Sequence, residues 1–139
     1  MPYEELPHTA DIRVRVTGAT HREIFREAAQ ALMAVMYGLQ SSQQTISPVR
    51  HEVHLTEEDT GLLLHSFLSE VIFLSETSGT VFTAFEVNVL EDQLDAVLLG
   101  VPFDPDVHGM GHEVKGVSLS GMRILNKEGQ NVLEILFDI

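Results

Sequence analysis

The apolar residues of this chain change their period along its length, and that change limits the fold more than any other feature. Ile12, Val14 and Val16 alternate with Arg13, Arg15 and Thr17. This period-2 pattern predicts a half-buried strand. After Gly18, the apolar residues Ile24, Phe25, Ala28, Leu32, Val35 and Met36 recur every third or fourth position. They form one stripe of a helix. Thr20 and Glu23 have the spacing of a capping box, and Gly38 is placed to end the helix. The alternation returns with Val49, His51, Val53 and Leu55, opposite Arg50, Glu52 and His54. Glu57-Glu58-Asp59 then places negative charge where a helix dipole favours it. A second apolar stripe follows, Leu63, Leu64, Phe67, Leu68, Val71, Ile72 and Leu74, and ends before Gly79.

The rest reads as strands. Val81–Leu90 and Gln93–Leu99 flank a tight turn at Glu91-Asp92. Val101 to Glu113 reads as an irregular loop, Val114–Ser118 and Met122–Leu125 as strands. Lys127-Glu128-Gly129-Gln130 turns into a last strand, Asn131–Asp138. The order strand, helix, strand, helix, then hairpin-joined strands predicts an α+β fold, a mostly antiparallel sheet with two main helices. At 139 residues the expectation is a single domain, 1–139.

Composition narrows the function. Eight Lys and Arg against 21 Asp and Glu leave a net charge of −13. Such a surface repels phosphate backbones, so direct nucleic-acid binding is not expected, whereas a basic protein partner or a cation is. Cysteine is absent, which removes disulfides, thiolate metal sites and thiol nucleophiles. No apolar run approaches the ~20 residues of a membrane span. The expectation is a cytoplasmic protein without membrane association.

Chemistry concentrates in a few places. Asp104-Pro105-Asp106-Val107-His108-Gly109 imitates the start of a calcium loop, but Lys115 stands where that loop needs a bidentate carboxylate. His108 and His112 are candidate ligands, against the plainer reading of solvated loop residues. His51 reads as packing on an apolar face, and His54 and His65 as ordinary surface residues. The ends differ. Asp11 precedes the first strand, in the run His8-Thr9-Ala10-Asp11, and Asp138 closes the last, followed by Ile139. If those strands are neighbours, two carboxylates and the terminal carboxylate of Ile139 meet at one sheet end. They are hard oxygen donors suited to Mg²⁺, Mn²⁺ or Ca²⁺. A cation or Lys115 would have to offset their repulsion. The competing reading is a turn residue, a polar strand end and a frayed terminus.

The chain resembles the archease family over nearly its whole length. YEELPHTADIRVRVTGAT is similar to the family's opening, with His-Thr-Ala-Asp its most specific mark. The helices REIFREAAQALMAVMYG and LLLHSFLSEVIFLSE, the latter including Glu70, are similar in pattern. FDPDVHGMGHEVKGVSL resembles the family's His-loop and Val-Lys strand, and the chain ends in Phe-Asp-aliphatic. The resemblance implies a duplicated β/α unit with exchanged C-terminal strands. It also implies an accessory protein, not an enzyme, that activates the RtcB-type GTP-dependent RNA ligase of tRNA splicing and RNA repair. The ligase's guanylylation and repeated turnover are what the accessory protein promotes. The implied site is one divalent metal ion (Ca, Mg or Mn) on Asp11, Asp138 and Ile139, with Lys115 and His8 nearby and His108 and Glu70 as weaker candidates. Self-association is compatible with this picture. The alternative is a general chaperone or modulator of a tRNA-modifying enzyme such as a methyltransferase. Val117-Ser118-Leu119-Ser120 departs from the polar aromatic triplet common in the family at this point.

Overall fold

A computed structural model describes residues 11–38, 49–109, 111–118 and 124–139. His8 and the polar stretch read as a loop, 40–47, lie outside the described residues. The elements in order are β1 (Asp11–Gly18), α1 (His21–Tyr37), β2 (Val49–Thr56), α2 (Thr60–Ser78), β3 (Thr80–Val89), β4 (Gln93–Pro102), α3 (Pro105–His108), β5 (Gly116–Val117), β6 (Leu125–Lys127) and β7 (Gln130–Asp138). All strand pairs are antiparallel. One sheet has the order β1-β7-β5, with β6 also on β7; the other has the order β2-β4-β3.

Local chemistry sets the helix ends. The Thr20 side chain accepts from the Glu23 N–H, and Glu23 Oε2 accepts from the Ala19 N–H at 2.7 Å. The box therefore closes one residue earlier than the ideal pattern. Gly38 ends α1 at φ 84° and donates its N–H to the Ala34 carbonyl. Asp59 caps α2 by accepting from the Leu62 N–H, and Gly79 ends it in the left-handed conformation. The final hairpin turns at Glu128 and Gly129, both at positive φ, between the paired Lys127 and Gln130. That is the type I′ geometry, whose twist matches the strands it joins.

The segment read as a loop from Val101 differs from its expectation. β4 runs on to Pro102, because Val101 and Pro102 pair with Val81 and Thr80. Asp104 then caps a single helical turn with Pro105 at its start. Among the described residues of the strand read as Val114–Ser118, β5 covers Gly116 and Val117. Of the strand read as Met122–Leu125, residues 122–123 lie outside the described residues, and β6 starts at Leu125.

The two long helices tie the two sheets together. α1 packs on β1 and β7 of one sheet and on β3 of the other; α2 packs on β2 and β3 and on β5. The shared core holds Phe25, Leu32, Phe67, Leu68, Leu98, Leu133, Ile135 and Phe137, all essentially fully buried. Strand alternation aims Phe137, Ile135 and Leu133 inward, so Asp138 and Glu134 face outward.

Candidate functional site

The last strand lies between the first and the fifth, and this brings the two ends of the chain together. β1 and β7 pair with Asp11 opposite Asp138, Ile12 opposite Phe137 and Val14 opposite Ile135. Residues directly opposite in an antiparallel pair share a face, with Cβ atoms about 4.5–5.5 Å apart. The spacing follows from the ladder. The Asp138 and Leu136 carbonyls accept from the Lys115 and Ser118 N–H groups, at 2.7 and 2.9 Å. These residues therefore turn their backbone groups toward β5, and the alternate residues turn theirs toward β1. Asp11 and Asp138 thus form a non-hydrogen-bonded pair, the class in which side chains stand closer.

The surroundings leave this carboxylate pair open. Both aspartates are exposed, and among the described residues neither forms an ion pair. On the far side of Asp138 the opposing residue is Gly116. A Cβ added there would come within 3.9 Å of Asp138 Oδ2. The glycine keeps that flank free of any side chain. Lys115 is held by its backbone bond to Asp138 and exposes its side chain. Ile139 is half-buried and packs against the core.

Among the described residues there is no group of three or more His, Cys, Asp or Glu side chains placed to hold a metal ion. The described donors at this sheet end are the side-chain carboxylates of Asp11 and Asp138. All are hard oxygens, without imidazole or thiolate, which fits Mg²⁺, Mn²⁺ or Ca²⁺ and not a soft metal.

Other candidates fall elsewhere. His108 is 2% exposed, not solvated. Its ring packs beside Phe103 and Tyr37, and its Nδ1 accepts the Asp104 N–H at 2.9 Å. The neutral ring then carries its proton on Nε2, which is buried without a partner among the described residues. No lone pair is left for a metal in this arrangement. His112 is exposed and donates its backbone N–H to the Val35 carbonyl, docking the loop on the end of α1. Glu70 is half-buried on α2, an element that contributes nothing to the carboxylate pair. His51 packs edge-on against Phe82, as its strand face predicts. His65 is not an ordinary surface residue: it is half-buried, with Nε2 3.0 Å from the Val117 carbonyl.

His54 is exposed but not isolated. Its Nδ1 lies 2.6 Å from Asp95 Oδ1, and its Nε2 3.9 Å from Glu52 Oε2. The hydrogen bond to Asp95, aided by both carboxylates' charge, raises its pKa above the ordinary histidine value. A raised folded pKa means the pair stabilises the fold fully below the unfolded pKa. That contribution is lost as pH rises through the folded pKa. An NMR titration is expected to find His54 titrating above the ordinary histidine value, and Asp95→Asn to bring it down toward that value. An unchanged midpoint in Asp95→Asn would refute the pairing.

Comparison with known proteins gives one family. The model of the archease protein family matches residues 3–139. An archease from Methanopyrus kandleri is 35% identical over 145 residues, covering 100% of both chains. One from Pyrococcus furiosus is 32% identical, covering 88% of this chain and 87% of its own. Among solved structures, protein 1598 of Methanobacterium thermoautotrophicum is similar with a TM-score of 0.72 and 27% identity, covering 96% of each chain. A Thermotoga maritima archease described as a possible chaperone shares the fold, with a TM-score of 0.68 at 16% identity, over 100% of this chain and 98% of its own. The chain belongs to the archease family.

Proposed function

We propose that this protein is a cation-dependent accessory factor that activates an RtcB-type GTP-dependent RNA ligase. The observation that supports this reading most is the meeting of Asp11 and Asp138 at one sheet end, with no ion-pair partner among the described residues. Like charges placed directly opposite destabilise a strand pair. A fold that keeps such a pair, beside a glycine that leaves its flank open, favours a cation as the missing partner. Asp11 and Asp138 would hold it, with the carboxylate of Ile139 as a further donor. A bound divalent ion would neutralise the pair and attract anionic groups such as phosphates.

The chain's own residues do the rest. β1 and β7 fix both carboxylates on a core-backed sheet, and Lys115, whose backbone N–H bonds the Asp138 carbonyl, exposes its side chain to solvent. The net charge of −13 suits docking on a ligase whose RNA-binding cleft must be basic. No reaction is assigned to the protein itself.

The test is ligation turnover. An RtcB-type ligase is supplied with GTP, a divalent metal and RNA halves, and ligations per ligase are counted. The wild type is expected to raise turnover severalfold, and folded Asp11→Ala or Asp138→Ala to leave it at the basal level. Full activation by both variants would remove the carboxylates from the mechanism. Activation that survives chelation would instead favour a metal-free chaperone for RNA-modifying enzymes.

A further inference from the structure

Among the described residues the first strand has one unpaired edge. Among the described residues β1 pairs only with β7. The ladder alternation fixes what that edge presents. Ile12, Val14 and Val16 bond to β7, so Arg13, Arg15 and Thr17 turn their N–H and C=O groups outward. A groove of about 340 Å³ runs beside this edge, lined by Val14, Arg15, Val16 and Thr17 and by Glu27, Gln30, Ala31 and Ala34 of α1.

The lining defines the groove's path. Four consecutive strand residues include both faces of the sheet, so they can border one cavity only along the strand's edge. The helix residues have the spacing i, i+3, i+4, i+7, a single stripe along α1. From Val14 to Thr17 the strand rises about 10 Å, three steps of about 3.3 Å. The helix stripe spans about 10.5 Å at about 1.5 Å per residue. The two walls match in length. Ala31 and Ala34 keep the helix wall low, and Val14 and Val16 make the floor apolar.

We propose that this groove receives an extended segment of a partner protein, added as a strand to the edge of β1, with acidic and apolar residues alternating. The alternation follows from which side chains share a face. Residues opposite Arg13 and Arg15 stand on the outer face, beside two guanidinium groups. Arg13 has no ion-pair partner among the described residues, and Arg15 shares Glu134 at 3.0 Å. Residues opposite Val14 and Val16 point into the groove against Ala31 and Ala34. Acidic side chains complement the first set and small branched apolar ones the second. Basic residues are outnumbered in this chain, eight Lys and Arg against 21 Asp and Glu, which makes two arginines on one unpaired edge the more specific. A second copy of the chain is a poor occupant. Antiparallel pairing of two β1 edges at fullest overlap sets Arg13 against Arg15, or Arg15 against Arg15, of the second copy, and like charges repel. This site does not depend on the carboxylate pair or on the ligase reading.

The test uses a defined probe, a capped nonapeptide of alternating glutamate and valine, on the full-length ¹⁵N-labelled protein. On saturation, amide exchange at Arg13, Arg15 and Thr17 is expected to slow about tenfold or more. Exchange at Ile12, Val14 and Val16, already bonded to β7, should change far less. Two variants act by different routes. Arg15→Pro removes an outward N–H, which an edge strand tolerates. Ala31→Leu fills the groove with a good helix former and leaves the ladder untouched. Both are expected to abolish the protection while the remaining spectrum stays folded, and an alternating lysine–valine peptide is expected to give none. Binding without slowed exchange at the outward amides would overturn the proposal, as would no binding, unaltered protection in folded Ala31→Leu, or concentration-dependent self-pairing through the same amides.

Discussion

Gly111→Ala is expected to destabilise the protein by about 3 kcal/mol or more, the range of a hard clash against backbone that rigid surroundings cannot relieve. A Cβ at Gly111 would sit 2.0 Å from the Met36 carbonyl oxygen and 2.4 Å from the Tyr37 nitrogen. Both are backbone atoms in the last turn of α1, so no side chain can swing aside. Relief requires lifting the loop off the helix, which breaks the bond from the His112 N–H to the Val35 carbonyl, now 2.8 Å. The same loop leads through buried Val114 to Lys115 and Gly116, beside the carboxylate pair. Displacing it therefore moves the flank of the candidate site. Urea denaturation of wild type, Gly111→Ala and Gly116→Ala checks this. Gly116→Ala meets nothing nearer than 3.9 Å and is expected to stay within about 0.5 kcal/mol of wild type. Wild-type stability in Gly111→Ala would mean that the loop is not seated on α1.

The contrast between these glycines shows where sequence reading stops. The boundaries of α1 and α2 were legible because the signals are local: Thr20 and Glu23 at one end, Gly38 at the other, Asp59 and Gly79 likewise. The inward faces of β1 and β7 were legible from alternation. Nothing near Gly111 in sequence announces that Met36 lies against it. The register of β1 on β7 is also nonlocal; its ion pair Arg15–Glu134 joins residues 119 apart. The carboxylate pair could thus be framed as a condition on two strands being neighbours, and only the fold supplies the neighbour.

The turn at Asp104-Pro105 carries a local signal. An Asn/Asp-type cap followed by proline marks a helix start. That turn brings the Asp104 N–H onto His108 Nδ1 and buries a ring that composition alone assigns to solvent. His65 went the same way, because its partner is a carbonyl of β5, far along the chain. Gly116 as the residue flanking Asp138, and the edge groove beside β1, follow from strand order and had no signal in the sequence.

The carboxylate pair carries the second large expectation. Without a divalent ion, Asp11 and Asp138 repel across the strand pair, so Asp11→Asn or Asp138→Asn is expected to raise stability slightly, by up to about 1 kcal/mol. With the ion the order reverses. A ligand that binds only the folded state at about a hundred times its Kd adds about 2.7 kcal/mol. For a domain of this size that is a rise of several degrees in the thermal midpoint. The asparagine variants keep the side-chain volume and lose the charge, so they should gain little.

The most direct measurement is the thermal midpoint of wild type, Asp11→Asn and Asp138→Asn in chelator and in excess Ca²⁺, Mg²⁺ or Mn²⁺. At least one of these ions is expected to raise the wild-type midpoint by several degrees, while both variants start slightly higher and fail to respond. A wild-type midpoint unmoved by all three ions, or variants that respond as fully as wild type, would contradict a cation site on Asp11 and Asp138.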